Sequence, residues 1–356
     1  IIKRQKDLNI VFSPIHGTGI TLVPQALEKF GFENINIVEN QSKPDGNFPT
    51  VIYPNPEEAE ALSEALKLGK ELDAELIMAT DPDADRVGIA VKNTSGEFEL
   101  LNGNQTGSLL INYMLEAWQK NNKLQGKEFI VKTIVTTELI KDISDSFNTA
   151  CYDTLTGFKF IAGLIAELEG KMKFIAGGEE SYGYLVGDFV RDKDAVASCA
   201  FIAEMAAAAK DEGNSLFEKL ISLYVKHGFY KEKLISITKK GKSGAEEIQT
   251  MMQTFRDNPP TTIAGSNVQF VKDYQSGECK NLITGESIQM DYPSSNVLQF
   301  ETMDGTKISA RPSGTEPKIK FYFSVKSELN REEDYLIVNL QLENKITSII
   351  EELKLS

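Results

Sequence analysis

The chain has 356 residues, 41% hydrophobic and 25% charged, which is ordinary for a globular protein long enough to build more than one core. Its formal charge of −14 argues against a nucleic-acid partner, and an anionic substrate would need local basic groups to approach. Three scattered cysteines (Cys151, Cys199, Cys279) and two histidines exclude a disulfide framework, a zinc spacing and a His-rich metal site, and no apolar run approaches the ~20 residues of a membrane span, so a cytoplasmic location without membrane attachment is expected.

In chain order, "LNIVF" (8–12) reads as a buried strand, "SPIHGTG" (13–19) as a tight loop, and 20–32 as a helix ending near Gly31. "NINIV" (34–38) is the next strand, followed by a Pro/Gly/Asn-rich loop to residue 56. Asn55 and Pro56, with Glu57 and Glu58 behind them, predict a helix start that leads to the strand "AELIMAT" (74–80). The order repeats with helix 104–119, strand 128–135, helix 137–147, strand 150–155, helix 157–169 and strand 173–177, then helices over 194–211 and 215–227. The two runs echo each other without a convincing sequence repeat. After "HGFY" (227–230), a plausible hinge, the pattern changes to strand 232–238, helix 243–257, short strands separated by turns, and a last helix over 331–354. The expectation is two consecutive α/β three-layer domains (1–101 and 102–228) followed by a smaller α+β domain with an antiparallel sheet (229–356).

"ATDPDADRVGIAV" (79–91) places Asp81, Asp83 and Asp85 at alternate positions directly after an apolar strand. Like charges that close are costly unless a cation sits among them, and a hard ion such as Mg²⁺ suits carboxylate oxygens. A solvated acidic turn is the bland alternative. An EF-hand is excluded, because the positions that need Gly and Glu hold Arg86 and Lys92. Asp83, Asp85 and Val87 also fit the short pattern of an aspartyl-phosphate phosphatase, with Asp83 as nucleophile.

Three further loops carry candidate chemistry. "GGEESYGY" (177–184) offers Glu179, Glu180 and Ser181 as hydroxyl acceptors between glycines, and "TGFKF" (156–160) sets Gly157 and Lys159 at a helix start suited to an anion. "VRDKDAV" (190–196) adds Arg191 and Lys193, although such a run is usually a solvated face. "SARPSGTEPKIK" (309–320) gathers Arg311, Ser313, Gly314 and Thr315 into a phosphate cradle that is not a P-loop.

Four ordered motifs, "TDPDADRVG", "TGFKF", "GGEESYGY" and "RPSGTEPKIK", resemble those of the α-D-phosphohexomutases, the phosphoglucomutase/phosphomannomutase group, over essentially the whole chain. The wording of "EESYGYLVGDFVRDKDAV" is most similar to the phosphoglucomutase branch, near its phosphopentomutase-active members. The resemblance implies the family's domains two, three and four. It implies Mg²⁺ on Asp81, Asp83 and Asp85, with Arg86 steadying charge and Lys132 a weaker catalytic candidate. Glu179, Ser181, Gly157 and Lys159 would handle the sugar; Arg311, Ser313, Gly314 and Thr315, with Arg191 and Lys193, the phosphates. The implied reaction converts glucose 1-phosphate and glucose 6-phosphate through an enzyme phosphoserine and glucose 1,6-bisphosphate.

One departure matters. The family's nucleophile sits in a "SHNP" motif of its first domain, and no such motif occurs here; Ser13 in "SPIHG" matches the opening of domain two. With no initiator Met, the chain reads as a fragment without the nucleophile domain, predicted to bind phosphosugar weakly and to have no turnover alone. Phosphomannomutase or phosphopentomutase activity, the Asp83 phosphatase, and a non-enzymatic phosphosugar-binding protein stand as alternatives. Sugar preference, the general acid and base, and oligomeric state are not legible.

Overall fold

The computed structural model describes residues 1–239, 241–314 and 316–355. They divide into two compact units, 1–223 and 224–356.

The first unit opens with β1 (Ile10–Ser13), α1 (Gly19–Phe30), β2 (Ile35–Ile37), α2 (Glu39–Ser42), α3 (Ser63–Glu71), β3 (Leu76–Thr80), β4 (Val87–Lys92) and β5 (Phe98–Leu101). A second run follows: α4 (Gly103–Lys120), β6 (Glu128–Thr133), α5 (Leu139–Ser146), β7 (Ala150–Thr154), α6 (Phe158–Leu168), β8 (Lys173–Gly178), β9 (Tyr184–Val186), α7 (Ala195–Asp211) and α8 (Leu216–His227). The sheets share one plan. The first has order β2-β1-β3-β4-β5 and the second β7-β6-β8-β9. In each, the first three strands are parallel and the next is antiparallel. The echo between the two runs is therefore topological.

That plan fixes where ligands can bind. Strand order reverses between β1 and β3, and between β6 and β8, so the loops after those strands flank a crevice at the carboxyl end of each sheet. "TDPDADR" and "GGEESYGY" occupy equivalent places, each linking the third parallel strand to its antiparallel neighbour.

Local chemistry explains the helix limits. Asn102 and Gln105 form a capping box at the start of α4, and Asp194 accepts the N–H of Ala197 at the start of α7. Gly31, at φ 107°, closes α1 in the left-handed conformation that glycine tolerates. α7 is alanine-rich and buried nearly all round, as a helix between two layers must be. It packs against α1 and β3 of the first run and against β9 of the second. One core gathers Val11, Ile77, Ala90 and Ala65; another gathers Phe129, Phe174, Leu185, Phe158 and Ile165.

The helix predicted from Pro56 is absent at that point. Asn55 instead closes a turn, its Oδ1 accepting the N–H of Glu57 at 3.0 Å, and helical structure starts at Ala59. Pro56 packs over β4, where a Cβ on Gly88 would fall 2.8 Å from the proline Cβ. Packing of Pro56 and the pull on Glu57 described below outweigh the local helix signal.

The second unit holds β10 (Phe229–Thr238), α9 (Gly241–Asp257), β11 (Thr262–Ile263), β12 (Ser266–Asp273), β13 (Glu278–Asn281), β14 (Ser287–Gln289), β15 (Leu298–Thr302), β16 (Lys307–Pro312), β17 (Lys318–Ser327) and α10 (Tyr335–Glu352). Its sheet has order β10-β17-β16-β15-β12-β13-β14 with antiparallel pairing throughout, and β11 pairs with β12. Phe255 of α9 meets Phe300 and Phe321, and Tyr335 of α10 stacks on Phe229. The fold is thus two α/β three-layer arrangements followed by a smaller part with a mostly antiparallel sheet. Among the described residues, no helix is long and apolar enough to cross a membrane.

Candidate active site

The loop between β3 and β4 concentrates the aspartates. Asp81 is 7% exposed, and its Oδ1 accepts the backbone N–H groups of Asp85 (3.0 Å) and Arg86 (2.9 Å). One carboxylate oxygen from each of Asp81, Asp83 and Asp85 lies within 4.8 Å of the others. Burial raises the Asp81 pKa to about 7 against the pull of the Arg86 N–H, and the charges of Asp85 and Asp83 add to the rise. Asp85 Oδ1 is buried without a hydrogen-bond partner. A buried acceptor without a hydrogen bond inside a cluster of three carboxylates could take a cation as its partner. An all-oxygen donor set of this kind can coordinate a hard divalent metal such as Mg²⁺.

Neighbouring loops hold this one in shape. Thr18 donates both its backbone N–H (2.8 Å) and its hydroxyl (3.0 Å) to the carbonyl of Pro82. Gly17 lies so close that a Cβ there would sit 2.3 Å from Pro82 Cα, which explains the glycine of "HGTG". From the second sheet, Ala195 N–H donates to the Ala84 carbonyl (3.1 Å), and Val87 N–H donates to the Tyr182 carbonyl (3.0 Å). Arg86 is anchored: its Nη1 donates to Glu57 Oε1 at 2.7 Å, with Nε 3.7 Å from Asp81 Oδ2 and 3.6 Å from Asp85 Oδ1. Glu57 escaped the sequence reading because its signal looked like a helix start.

The loop after β8 divides its acidic pair between two tasks. Glu179, 7% exposed, accepts the N–H of Gly157 through Oε1 at 2.8 Å. Gly157 stands at φ 116° just before α6, a conformation that favours glycine. Glu180 turns inward and accepts the hydroxyls of Thr133 (3.0 Å) and Thr136 (3.2 Å); burial, then the charge of Glu179, raises its pKa. Ser181 is half-buried beside them, and Lys159 is exposed with its ammonium 4.9 Å from the Phe160 ring centroid. The structure thus joins Glu179, Ser181, Gly157 and Lys159 at one end of the sheet.

Lys132 and the "VRDKD" pair separate from one another. Lys132 is completely enclosed, 3.0 Å from Glu138 and 2.8 Å from Asp153. Burial opposes its charge, yet the two carboxylates hold its pKa above the ordinary lysine value. A cation so enclosed is placed to fix β6, β7 and the following loop rather than to meet a substrate. Arg191 is not brought to the aspartates: it pairs with Glu169 at 3.2 Å and lines a cavity of about 340 Å³ with Lys173 and Phe174, at the amino end of the second sheet. After Arg191 the chain turns back beside β9, where Asp194 N–H donates to the Tyr184 carbonyl at 2.9 Å. That return brings Lys193 to the aspartate loop, 3.0 Å from Asp85 Oδ2.

In the second unit, Arg311, Ser313 and Gly314 lie at the hairpin between β16 and β17. Ser313 donates its N–H to the Lys318 carbonyl (2.7 Å) and accepts the Glu316 N–H at Oγ (3.3 Å). Arg311 is paired in register with Lys320 across the two strands, so their side chains leave the same face of the sheet. Thr315 lies outside the described residues.

Residues 2–96 match the family model for α/β/α domain II of phosphoglucomutase/phosphomannomutase, and residues 102–224 match that for domain III. A phosphoglucomutase from Staphylococcus aureus (strain MRSA252) is 40% identical over 322 residues, which is 90% of this chain and 57% of the relative. The chain belongs to the phosphoglucomutase/phosphomannomutase family, in its phosphoglucomutase branch. Solved family structures share its fold at 18% identity. They include a putative phosphomannomutase from Thermus thermophilus, with a TM-score of 0.66 covering 99% of this chain and 62% of that one. Another is the open form of the Paramecium phosphoglucomutase parafusin, with a TM-score of 0.65 covering 98% and 59%. The chain therefore spans a little over half the length of the curated phosphoglucomutases it matches.

Proposed function

We propose that this chain supplies the metal-, sugar- and phosphate-handling parts of a cytoplasmic phosphoglucomutase that interconverts glucose 1-phosphate and glucose 6-phosphate by way of glucose 1,6-bisphosphate. The observation that carries the reading is the three-aspartate cluster of the loop after β3, whose carboxylate oxygens lie within 4.8 Å of one another and include a buried Asp85 Oδ1 that accepts no hydrogen bond. The proposed division is 1–101 for the metal, 102–228 for the sugar and 229–356 for the non-reacting phosphate.

Asp81, Asp83 and Asp85 would hold Mg²⁺, whose chemistry when bound is to polarise the transferring phosphoryl group. Arg86, fixed by Glu57, adds fixed positive charge beside that loop. Glu179 and Ser181 accept sugar hydroxyls, and Glu179 couples this task to the Gly157 turn that carries Lys159. Arg311, Ser313, Gly314 and Thr315 grip an anionic group, with Lys320 as an added donor. Lys132 is proposed as a positioning residue. Arg191 stands with the cavity at the far end of the sheet and has no part in this reading. No residue of this chain is assigned as nucleophile.

The test is titration calorimetry of this chain with glucose 1-phosphate and glucose 1,6-bisphosphate, with and without Mg²⁺, alongside a coupled glucose 6-phosphate assay of the chain joined to a family domain that carries the phosphoserine. Mg²⁺-dependent binding and turnover, both lost in Asp85→Asn, are expected. Turnover that ignores Mg²⁺ and survives Asp85→Asn would overturn the reading. A preference for mannose or pentose phosphates would move the substrate within the same family.

A further inference from the structure

Three separate motifs converge on one side chain. Lys193 Nζ lies 3.0 Å from Asp85 Oδ2 and 2.9 Å from Asp192 Oδ1. Its side chain is only 12% exposed, while that of Asp192 is 71% exposed. The aliphatic stem crosses Gly183 of the "GGEESYGY" loop, where a Cβ would fall 2.2 Å from Lys193 Cδ. The ammonium also sits 5.2 Å from the ring centroid of Phe158, at the start of α6. Asp85 is thereby split: one oxygen is held by the Lys193 ammonium, and the other has no hydrogen-bond partner.

We propose that Lys193 is a built-in counter-cation of the aspartate loop, which holds Asp85 in the metal-free protein and yields it when a divalent ion binds. The inference deepens the proposed function and rests on its reading of Asp81, Asp83 and Asp85 as metal ligands. A dication on Asp85 and an ammonium on the same carboxylate repel each other, so each weakens the other's hold. Asp192 keeps the displaced ammonium from being stranded, because it already accepts a hydrogen bond from it. The ammonium lies between the loop that binds the cation and the two loops proposed to bind the sugar. By reciprocity, an anion that draws Lys193 off Asp85 tightens the metal, and the metal frees a positive charge for that anion.

The sign of this effect distinguishes it from scaffolding. If Lys193 only braced the loop, its removal would weaken metal binding. If it competes, its removal strengthens metal binding. Mn²⁺ affinity is measured by calorimetry on the intact protein, without sugar, for wild type, Lys193→Met, Lys193→Arg and Asp81→Asn. Lys193→Met is expected to bind Mn²⁺ about tenfold tighter, a screened like-charge effect of ordinary size, and Lys193→Arg to stay near wild type. Gly183→Ala keeps the charge but pushes the stem away, and it is expected to shift affinity in the same direction. Equal or weaker Mn²⁺ binding by both Lys193→Met and Gly183→Ala, with wild-type thermal melting, would overturn the proposal. If Lys193→Met does not fold, Gly183→Ala decides alone. Wild-type protein that binds Mn²⁺ no better than Asp81→Asn would instead overturn the underlying metal reading.

Discussion

Glu179 accepts the backbone N–H of Gly157 at 2.8 Å, so one carboxylate ties the loop after β8 to the turn before α6. A buried, charge-assisted bond of this type contributes about 1.5–3 kcal/mol. Glu179→Ala is expected to lose about that much in urea unfolding and to weaken glucose 1-phosphate binding as well. Glu179→Gln keeps an acceptor in place and should recover most of the stability. Equal losses in the two variants would show that the bond to Gly157 is not the operative contact.

Lys132 predicts a comparable cost. It has no exposed surface and separates Glu138 from Asp153. Lys132→Met leaves two carboxylates, each 34% exposed, facing each other across an apolar side chain, at a cost of about 1.5–3 kcal/mol after solvent screening. Chemical denaturation of the purified variant checks this, and a change within about 1 kcal/mol would contradict the enclosed ion-pair arrangement.

Arg86 and Glu57 are partly exposed, at 32% and 22%, and their pairing is correspondingly modest. A double-mutant cycle with Arg86→Met and Glu57→Gln should give a coupling of about 0.5–1.5 kcal/mol. Glu57→Gln should also lower turnover in the mutase assay by freeing Arg86 from its anchor. Unchanged turnover would separate Glu57 from the site.

Acid stability turns partly on Asp304 in the second unit. Burial alone would raise its pKa, but hydrogen bonds from Lys345, Thr302 and Thr306 bring it down to about 2. The folded value is below the ordinary 3.8, so its stabilisation is complete above that pH and is lost as pH falls toward 2. The side chain is 41% exposed, so after screening the contribution is about 1 kcal/mol. Asp304→Asn should remove that increment at pH 6 and leave stability at pH 2 unchanged, which paired unfolding curves at the two pH values will show.

The parts of the site legible in the sequence were those whose local chemistry is costly without a partner. The Asp81, Asp83 and Asp85 cluster was readable because three carboxylates at alternate positions after a strand share one short loop, and the structure gathers them within 4.8 Å of one another. Gly157 and Lys159 were readable because a glycine before an apolar helical run is a known turn. What stayed hidden depends on residues far apart in the chain. Glu57 reads as a helix start until Arg86 is seen to hold it. Glu180 looks like the twin of Glu179 until Thr133 and Thr136 turn it inward. Arg191 and Lys193 look equivalent, yet the return of the chain beside β9 sends them to opposite ends of the sheet. Fold class followed from the alternation of apolar strands and amphipathic helices, whereas the helix misplaced at Pro56 shows packing overruling a capping signal.

The two sheets of the first unit put "TDPDADR" and "GGEESYGY" at the same address, between the third parallel strand and its antiparallel neighbour. On the proposed reading, the two hairpins would recognise the ligand, and the sheets would only present them. A lineage that duplicated such a sheet would acquire a second hairpin at the same place in the copied sheet. It could then change what that hairpin recognises without redesigning a core. The same economy offers an engineering route: exchanging hairpin sequences should alter chemistry while leaving strand order intact.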